Sequence, residues 1–186
     1  MLHRFKTAKR TPHRIEVFVD RIDQLFNSMD PSPFPEKDLD HDAEEFIIGW
    51  AQEFPRKDPI SLLVHVNQHL PHADAQRDVE AAIHHYFSYR AKLNQLEFRH
   101  LLREGRISLV IGLACLGACL VISDILLRQS SDTLSIVLRE SLTIGGWVAM
   151  WHPMQIFLYE WWPLQRMGHL FEKLSRMHVE VRKRSP

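Results

Sequence analysis

Two short stretches in the first half of the chain place apolar residues as β-strands do. Residues 14–20 alternate between apolar and other side chains, with Ile15, Val17 and Val19 on one side, which is typical of a half-buried strand. Residues 59–66 are more continuously apolar, so we expect a more buried strand there. A helix between them predicts a parallel pair with a right-handed crossover. Because two strands make a poor sheet, either a further strand is missing from this pattern or a second protomer completes the sheet.

The segment between these strands is acidic and contains one predicted helix. Its proline-rich stretch, Asp30–Pro35, disfavours helix and predicts a stiff, extended loop. Asp42 precedes Glu45 by three residues, which is the spacing of a capping box at a helix start. We therefore expect a helix from this cap to about residue 54, where Pro55 ends it. Its predicted core-facing stripe consists of Phe46, Ile47, Trp50 and Phe54.

The second half of the chain contains two stretches that are apolar enough for membrane helices. A helix is predicted over residues 73–106, with Gly105 as the expected break at the membrane edge. Residues 107–127 and 142–162 each comprise 21 residues, and a helix of that length crosses a hydrocarbon core of about 30 Å. The second stretch is weaker, and an interfacial helix is its alternative. Its polar residues and proline are His152, Pro153, Gln155 and Glu160.

Lysine and arginine are unevenly distributed around the two predicted spans. The 20 residues before the first span contain five, the 20 residues after the second contain four, and the connecting loop contains two. Under the positive-inside rule, this distribution puts both termini in the cytoplasm. The predicted organisation is a basic tail (1–13), a small α/β domain (14–72), a connecting helix (73–106), a first span (107–127), an external loop (128–141), a second span (142–162) and a basic tail or helix (163–186).

These elements define the expected fold class. We expect an α+β/α membrane protein with a small βαβ-like cytoplasmic domain, a long helix that leads into a two-helix transmembrane hairpin, and a C-terminal amphipathic helix. The expected location is the inner, or plasma, membrane. The mitochondrial inner membrane is the alternative, because residues 1–14 are basic and contain no acid.

The second predicted span carries a polar stripe. His152, Gln155 and Tyr159 follow one another at positions i, i+3 and i+7 of a helix and so share one face. The histidine has two interpretations. It is either a ligand or proton relay, or it is a structural partner for the backbone where Pro153 removes a hydrogen-bond donor.

The first predicted span offers a surface of small side chains through which the two helices can approach closely. If the ends of the spans are matched, facing residue numbers add up to about 269, which places His152 level with Gly117. Cys115 and Cys119 lie on either side of that level; being four residues apart on one helix, they are not expected to form a disulfide. The predicted helix-packing residues are Ala114, Gly117 and Ala118.

Histidine is abundant, with 12 in 186 residues, and it supplies the candidate metal ligands. His65 on the second strand could converge on a metal ion with His69 and His72 of the following loop. His84 or His85 could be an axial haem ligand, although neighbours on a helix point about 100° apart and cannot share an ion. No cofactor is predicted, and a metal ion or a haem is the alternative.

The sequence contains no recognisable catalytic or nucleic-acid-binding motif. A nucleophile elbow, a phosphate loop, a dinucleotide fingerprint and a zinc-protease motif do not occur. Residues 1–106 carry 15 Lys/Arg and 17 Asp/Glu, which is not the basic balance that phosphate binding needs. We therefore expect neither an enzyme nor a nucleic-acid-binding protein.

The chain resembles two known protein families, one in a short segment and one in its helical arrangement. The stretch Asp30-Pro-Ser-Pro-Phe34, followed by Lys37-Asp-Leu-Asp40, resembles segments of small uncharacterised bacterial inner-membrane proteins with two helices, a resemblance that implies no activity. A long helix leading into two spans also resembles the pore-forming subunit of mitochondrial calcium uniporters. The nearest match to the Trp-Asp…Glu-Pro signature of that family is Trp151-His-Pro-Met-Gln155, which lacks both carboxylates and lies mid-span, so its function is not carried over.

The leading functional hypothesis is a non-enzymatic integral inner-membrane protein whose cytoplasmic domain binds a partner or self-associates. The first alternative is a metal- or haem-handling redox membrane protein that uses His152, Cys115 and Cys119, with His65 as a further ligand. The second alternative is an oligomeric channel or transporter subunit lined by the polar stripe. The expected partners are the lipid bilayer and either a second copy or another protein.

Overall fold

The computed structural model describes residues 12–55, 57–68, 74–129 and 133–184. Within them the strands are β1 (His13–Val19), β2 (Ile60–Val66) and β3 (His178–Lys183). The α-helices are α1 (His41–Glu53), α2 (Ala75–Gln129), α3 (Thr133–Ala149), α4 (Trp151–Gln155) and α5 (Trp161–Leu174). Short 3₁₀ helices occupy Ile22–Leu25 and Phe34–Glu36, and a π-helical turn occupies Ile156–Glu160. The chain packs as two compact units, one formed by Met1–Leu93 with Met167–Pro186 and one by Asn94–Arg166.

A three-stranded parallel sheet lies at the centre of the first unit, which we call the α/β domain. The strand order is β1-β2-β3, and both pairings are parallel. The predicted parallel pairing of the first two strands is thus confirmed. The missing strand comes from the same chain, because residues 178–183 pair with β2. The segment 163–186, predicted as a basic tail or an amphipathic helix, is helical as far as Leu174 and then forms β3.

One face of this sheet forms the hydrophobic core. Ile15, Leu62 and Val179 are neighbours across the three strands, and all three are buried. Since side chains alternate between the two faces of a strand, Val64 points the same way as Leu62. The helical residues in the same core cluster are Ile22 and Leu25 of the first 3₁₀ helix, Ile47 and Ala51 of α1, Ala75, Val79, Ala82, Ile83, Tyr86 and Phe87 of α2, and Phe171 and Leu174 of α5.

The other face of the sheet carries polar and charged side chains together with two apolar residues, Leu63 and Phe18. Leu63 lies between Glu16 of β1 and Glu180 of β3, and it is not part of the core cluster. Arg182 donates to Glu180 over 2.6 Å, and this hydrogen bond lowers the pKa of the glutamate.

Helix α1 begins earlier than the sequence predicts, so the capping assignment to Asp42 and Glu45 is wrong. Asp40 is the N-cap residue, with an extended backbone, and its side chain accepts a hydrogen bond from the backbone N–H of Asp42. A tertiary contact determines where α1 starts. Leu39 is buried and bridges to Phe26, which fixes where the chain enters the helix.

The predicted core stripe of α1 is also wrong in part. Glu44, Ile47 and Ala51 are the buried positions, whereas Phe46 and Trp50 are exposed. The pattern missed this because Glu44 is charged yet points inwards. A buried carboxylate of this kind persists only with partners.

Arg90 on α2 is the main partner of Glu44. Its Nε lies 2.8 Å from Oε1 of Glu44, and its guanidinium carbon lies 5.4 Å from the centre of the Phe171 ring. Burial raises the pKa of the nearby Tyr86, and a hydrogen bond to Glu44 raises it further. Arg90 thereby links α1, α2 and α5.

Replacing Arg90 with leucine is expected to destabilise the α/β domain by about 2 kcal/mol, because Glu44 would remain buried without its ion-pair partner. The effect is smaller than for a fully buried pair, since the Arg90 side chain is 39% exposed and water screens it. Denaturant unfolding in detergent micelles measures this loss. Changing Glu44 to leucine as well should recover most of it, and a double variant as unstable as the single one would contradict this role.

One helix of the described residues is long and apolar enough to cross a membrane. It is the part of α2 between Ala75 and Ile125, and 11% of its most apolar stretch is buried. The helix continues through Gly105, so the break expected there does not occur. Residues 128 and 129 also belong to α2 and α3 starts at Thr133, so most of the predicted external loop is helical.

The second predicted span, residues 142–162, is not one continuous helix. Helix α3 ends at Ala149, and the N–H of Met150 then donates to the carbonyl of Trp147 in a tighter turn. Pro153 accounts for this, because proline has no N–H and its ring collides with the carbonyl four residues earlier. The kink predicted at Pro153 therefore takes the form of a break at Met150.

Candidate functional site

A small cleft lies at the carboxyl ends of β1, β2 and β3, where ligands of parallel α/β sheets commonly bind. Its volume is about 170 Å³. Asp20 and Gln24 are already engaged: Asp20 accepts from the side chain of Asn67, and Gln24 accepts from the backbone N–H of Asp20 and Arg21. The cleft is lined by Phe18, Val19, Asp20, Gln24, His65, Asn67 and Arg184. These lining residues include Asp20, His65 and Arg184, so polar and charged groups are available to contact a bound molecule.

His65, the first predicted metal ligand, lies in this cleft. Its ring stacks on Phe18 at 4.5 Å between centroids, and its Nε2 lies 3.4 Å from Oε2 of Glu16. The other two predicted ligands, His69 and His72, lie outside the described residues. Within the described residues, no group of three or more His, Cys, Asp or Glu side chains is placed to hold a metal ion. The predicted metal site therefore stays a prediction.

The exposed side of α1 forms a second surface, which we call the acidic–aromatic face. Phe46 and Trp50 are 43% and 46% exposed, and their rings lie 6.1 Å apart. A Cβ on Gly49 would meet no atom within 4 Å, so the helix surface is open there. The face consists of Asp42, Glu45, Phe46, Gly49, Trp50 and Glu53, which line a shallow depression of about 460 Å³.

Within the second unit, glycines set the contact between α2 and the helices that follow it. A Cβ on Gly112 would lie 3.0 Å from the carbonyl oxygen of Ala149, and one on Gly146 would lie 2.8 Å from Cδ1 of Leu116. The numbers of facing residues add up to 261 or 262. The predicted sum of about 269 is therefore wrong by about two helical turns. Matching the span ends failed because close glycine contacts, not span ends, determine the register.

The helix-packing residues predicted for the first span are consequently wrong. Ala114, Gly117 and Ala118 are exposed, and a Cβ on Gly117 would meet no atom within 4 Å. The side of α2 that faces its neighbour carries Gly112, Leu116 and Cys119 instead. Small residues occur on both sides of α2, so their presence alone does not identify the contact.

The polar stripe of the second span lies on the outer surface of its unit. His152, Gln155 and Tyr159 are all exposed, and Pro153 and Ile156 form the buried side. Gln155 donates to Glu160 over 2.9 Å, within the same segment. The predicted alignment of the three residues on one helix face stays a prediction, because Ile156–Glu160 form a π-helical turn, and His152 is not level with Gly117.

Other predicted ligands have structural surroundings. His84 lies with its Nε2 2.7 Å from the carbonyl oxygen of Met177, where it ties α2 to the residues before β3, and His85 is exposed. Cys115 and Cys119 are free thiols. The π-helical turn is closed by Trp161, whose indole N–H donates to the carbonyl of Phe157 over 2.8 Å. None of these contacts tests a role in haem or metal binding.

Comparison with family models, with curated protein sequences and with solved structures finds no match to this chain. Its function is thus inferred from these surfaces alone. The sequence pattern did not predict the acidic–aromatic face, because Phe46 and Trp50 were assigned to the core. The signal that could have found it is the glycine between them, since Gly49 is a poor helix residue and supplies no core side chain.

Proposed function

We propose that this chain is a non-enzymatic integral inner-membrane protein, anchored by a two-helix hairpin, whose α/β domain binds a partner on the cytoplasmic side. Residues 107–127 would form the first span and residues 142–162 the second. The partner is either another protein or a second copy of the chain.

The observation that carries this proposal is the pairing of β2 with β3. These strands hydrogen-bond in one sheet although the whole apolar region lies between Val66 and His178. Two strands of one sheet must be on the same side of a membrane. If α2 crosses the bilayer, the chain must therefore cross it a second time before β3, and residues 133–166 are the remaining stretch.

The surface of this region supports a lipid environment. Large apolar side chains are exposed along both proposed spans, including Val110 and Ile111 on α2, Trp147 on α3 and Trp151 on α4. In water such a surface would favour aggregation, whereas acyl chains solvate it. Tyr159 and Trp162 are exposed near the end of the second stretch, as in an aromatic belt.

Maleimide labelling of single cysteines tests the topology, with Cys115 and Cys119 first changed to alanine. Position 131 should be labelled from outside intact cells, whereas positions 28 and 185 should be labelled only after permeabilisation. The two protected positions are controls for each other, because one precedes the first span and one follows the second. Labelling of position 185 from outside would overturn the hairpin.

A second candidate function, an oligomeric channel or transporter subunit, is favoured by the exposure of His152, Gln155 and Tyr159. Polar side chains rarely face lipid, so a second copy covering this stripe would remove an energetic cost. Native mass spectrometry of membrane extracts should then show oligomers that dissociate when His152 and Gln155 are changed to leucine. A monomer with a bound protein supports the first proposal, and a bare monomer contradicts both.

A further inference from the structure

We propose that the acidic–aromatic face of α1 binds a basic amphipathic helix of a partner protein, an inference that rests on the partner-binding function proposed above. The face is not needed for folding. The opposite side of α1, with Ile47 and Ala51, already fills the core, and Phe46 and Trp50 are absent from the core cluster.

The aromatic residues give this face its capacity for binding. An exposed tryptophan next to a phenylalanine is costly for a soluble surface and is the commonest kind of interface anchor. The three acidic residues Asp42, Glu45 and Glu53 line the same depression as the pair, so the face combines an apolar part with a charged border. Specific protein interfaces share this organisation.

Charge determines the kind of partner. All charged members of the face are acidic, and none of the six residues is basic. A cationic partner is therefore attracted, while an anionic leaflet and a nucleic acid are repelled. This distinguishes a protein partner from lipid headgroups, although tryptophan alone would suit both.

The shape of the face indicates that the partner segment is helical. Asp42 and Glu53 are eleven residues apart on one helix, which corresponds to about 16 Å, or three turns. Gly49 leaves a gap in the row Glu45–Gly49–Glu53, beside the row that carries Phe46 and Trp50, and such a gap receives a side chain when helices pack ridge into groove. The partner would place one apolar side chain over Gly49 and Lys or Arg one turn to either side.

Photo-cross-linking in the producing cell tests the inference on the full-length chain. Phe46 is replaced with p-benzoylphenylalanine, and the cross-linked peptide is identified by mass spectrometry. We expect one adduct, mapped to a basic amphipathic segment of another protein. An adduct with a second copy of the chain, with its own residues 1–11 or with lipid would overturn the proposal, as would the absence of any adduct.

Two variants separate loss of binding from loss of folding. Gly49→Leu fills the gap but favours helix more than glycine does, so the domain should stay folded while the adduct disappears. Glu45→Lys combined with Glu53→Lys should also abolish it. The mapped peptide, made synthetically, should bind the purified chain about 30-fold or more weakly after Trp50→Ala. A retained adduct in either variant, or an unchanged affinity, would contradict the proposal.

A matched control uses Phe18, an aromatic residue that is 59% exposed on the far face of the sheet. Phe18→Ala should leave the affinity for the peptide unchanged. If the photoreactive residue at position 18 captures a stoichiometric partner and position 46 captures none, the α1 inference fails and the partner-binding proposal stands. If neither position captures a partner and the extracted protein is a bare monomer, both fail.

Discussion

Replacing Val179 with aspartate is expected to unfold the α/β domain. Val179 is fully buried on β3, in register with Leu62 of the central strand. A carboxylate at this position would lie in the core without a partner, and we expect a loss of at least about 4 kcal/mol. Since domains of this size are stable by only about 5–15 kcal/mol, most of the near-ultraviolet circular dichroism and the cooperative unfolding transition should disappear.

The neighbouring residue provides the control for this variant. Glu180 lies on the same strand but points to the opposite, polar face, where it accepts a hydrogen bond from Arg182. Glu180→Thr keeps a residue that suits a strand and should leave the unfolding transition nearly unchanged. If both variants were equally stable, residues 178–183 would not be a core strand, and the case for an even number of membrane crossings would lose its basis.

Strand β3 could not be predicted from the local sequence pattern. The first two strands were predictable, because their apolar pattern is local and continuous. Residues 178–183 contain two valines among charged and polar side chains, which is also compatible with a solvated tail. What makes them a strand is their pairing with β2, a partner distant in sequence that no local pattern reveals. The poor two-stranded sheet predicts that either a further strand or a second protomer completes it, but it does not choose between them or locate the strand in the chain.

The acidic–aromatic face could not be predicted for a related reason. Periodicity places Phe46 and Ile47 on one side of α1, because it assumes that aromatic residues face inwards. In the structure the inward side of α1 carries Ile47, Ala51 and Glu44, and Glu44 is buried where Arg90 can pair with it. This ion pair forms between helices, so the rotation of α1 depends on tertiary contacts that the sequence of α1 alone does not contain.

The contact between α2 and α3 should fail when Gly146 is replaced with leucine. The first added atom would lie 2.8 Å from Cδ1 of Leu116 and 3.3 Å from Cβ of Cys119, so the rest of a leucine side chain would have to displace both neighbours. Overpacking of this kind costs up to about 3 kcal/mol, and we expect a loss of that size for the unit Asn94–Arg166. Unfolding by sodium dodecyl sulfate in mixed micelles, followed by helical circular dichroism, measures it.

Gly145 is a nearly perfect control, because it is adjacent in sequence and a Cβ there would meet no atom within 4 Å. Gly145→Leu adds the same apolar volume and the same helix preference, so it should be neutral or slightly stabilising.

Leucine substitutions at Gly112 and Gly117 of α2 distinguish the predicted helix register, with a sum of about 269, from the observed register, with a sum of 261 or 262. The sequence prediction makes Gly117→Leu harmful and Gly112→Leu tolerable. The structure predicts the reverse. A Cβ on Gly112 would lie 3.0 Å from the carbonyl oxygen of Ala149, the group that Pro153 leaves without its helical donor. A Cβ on Gly117 would meet no atom within 4 Å.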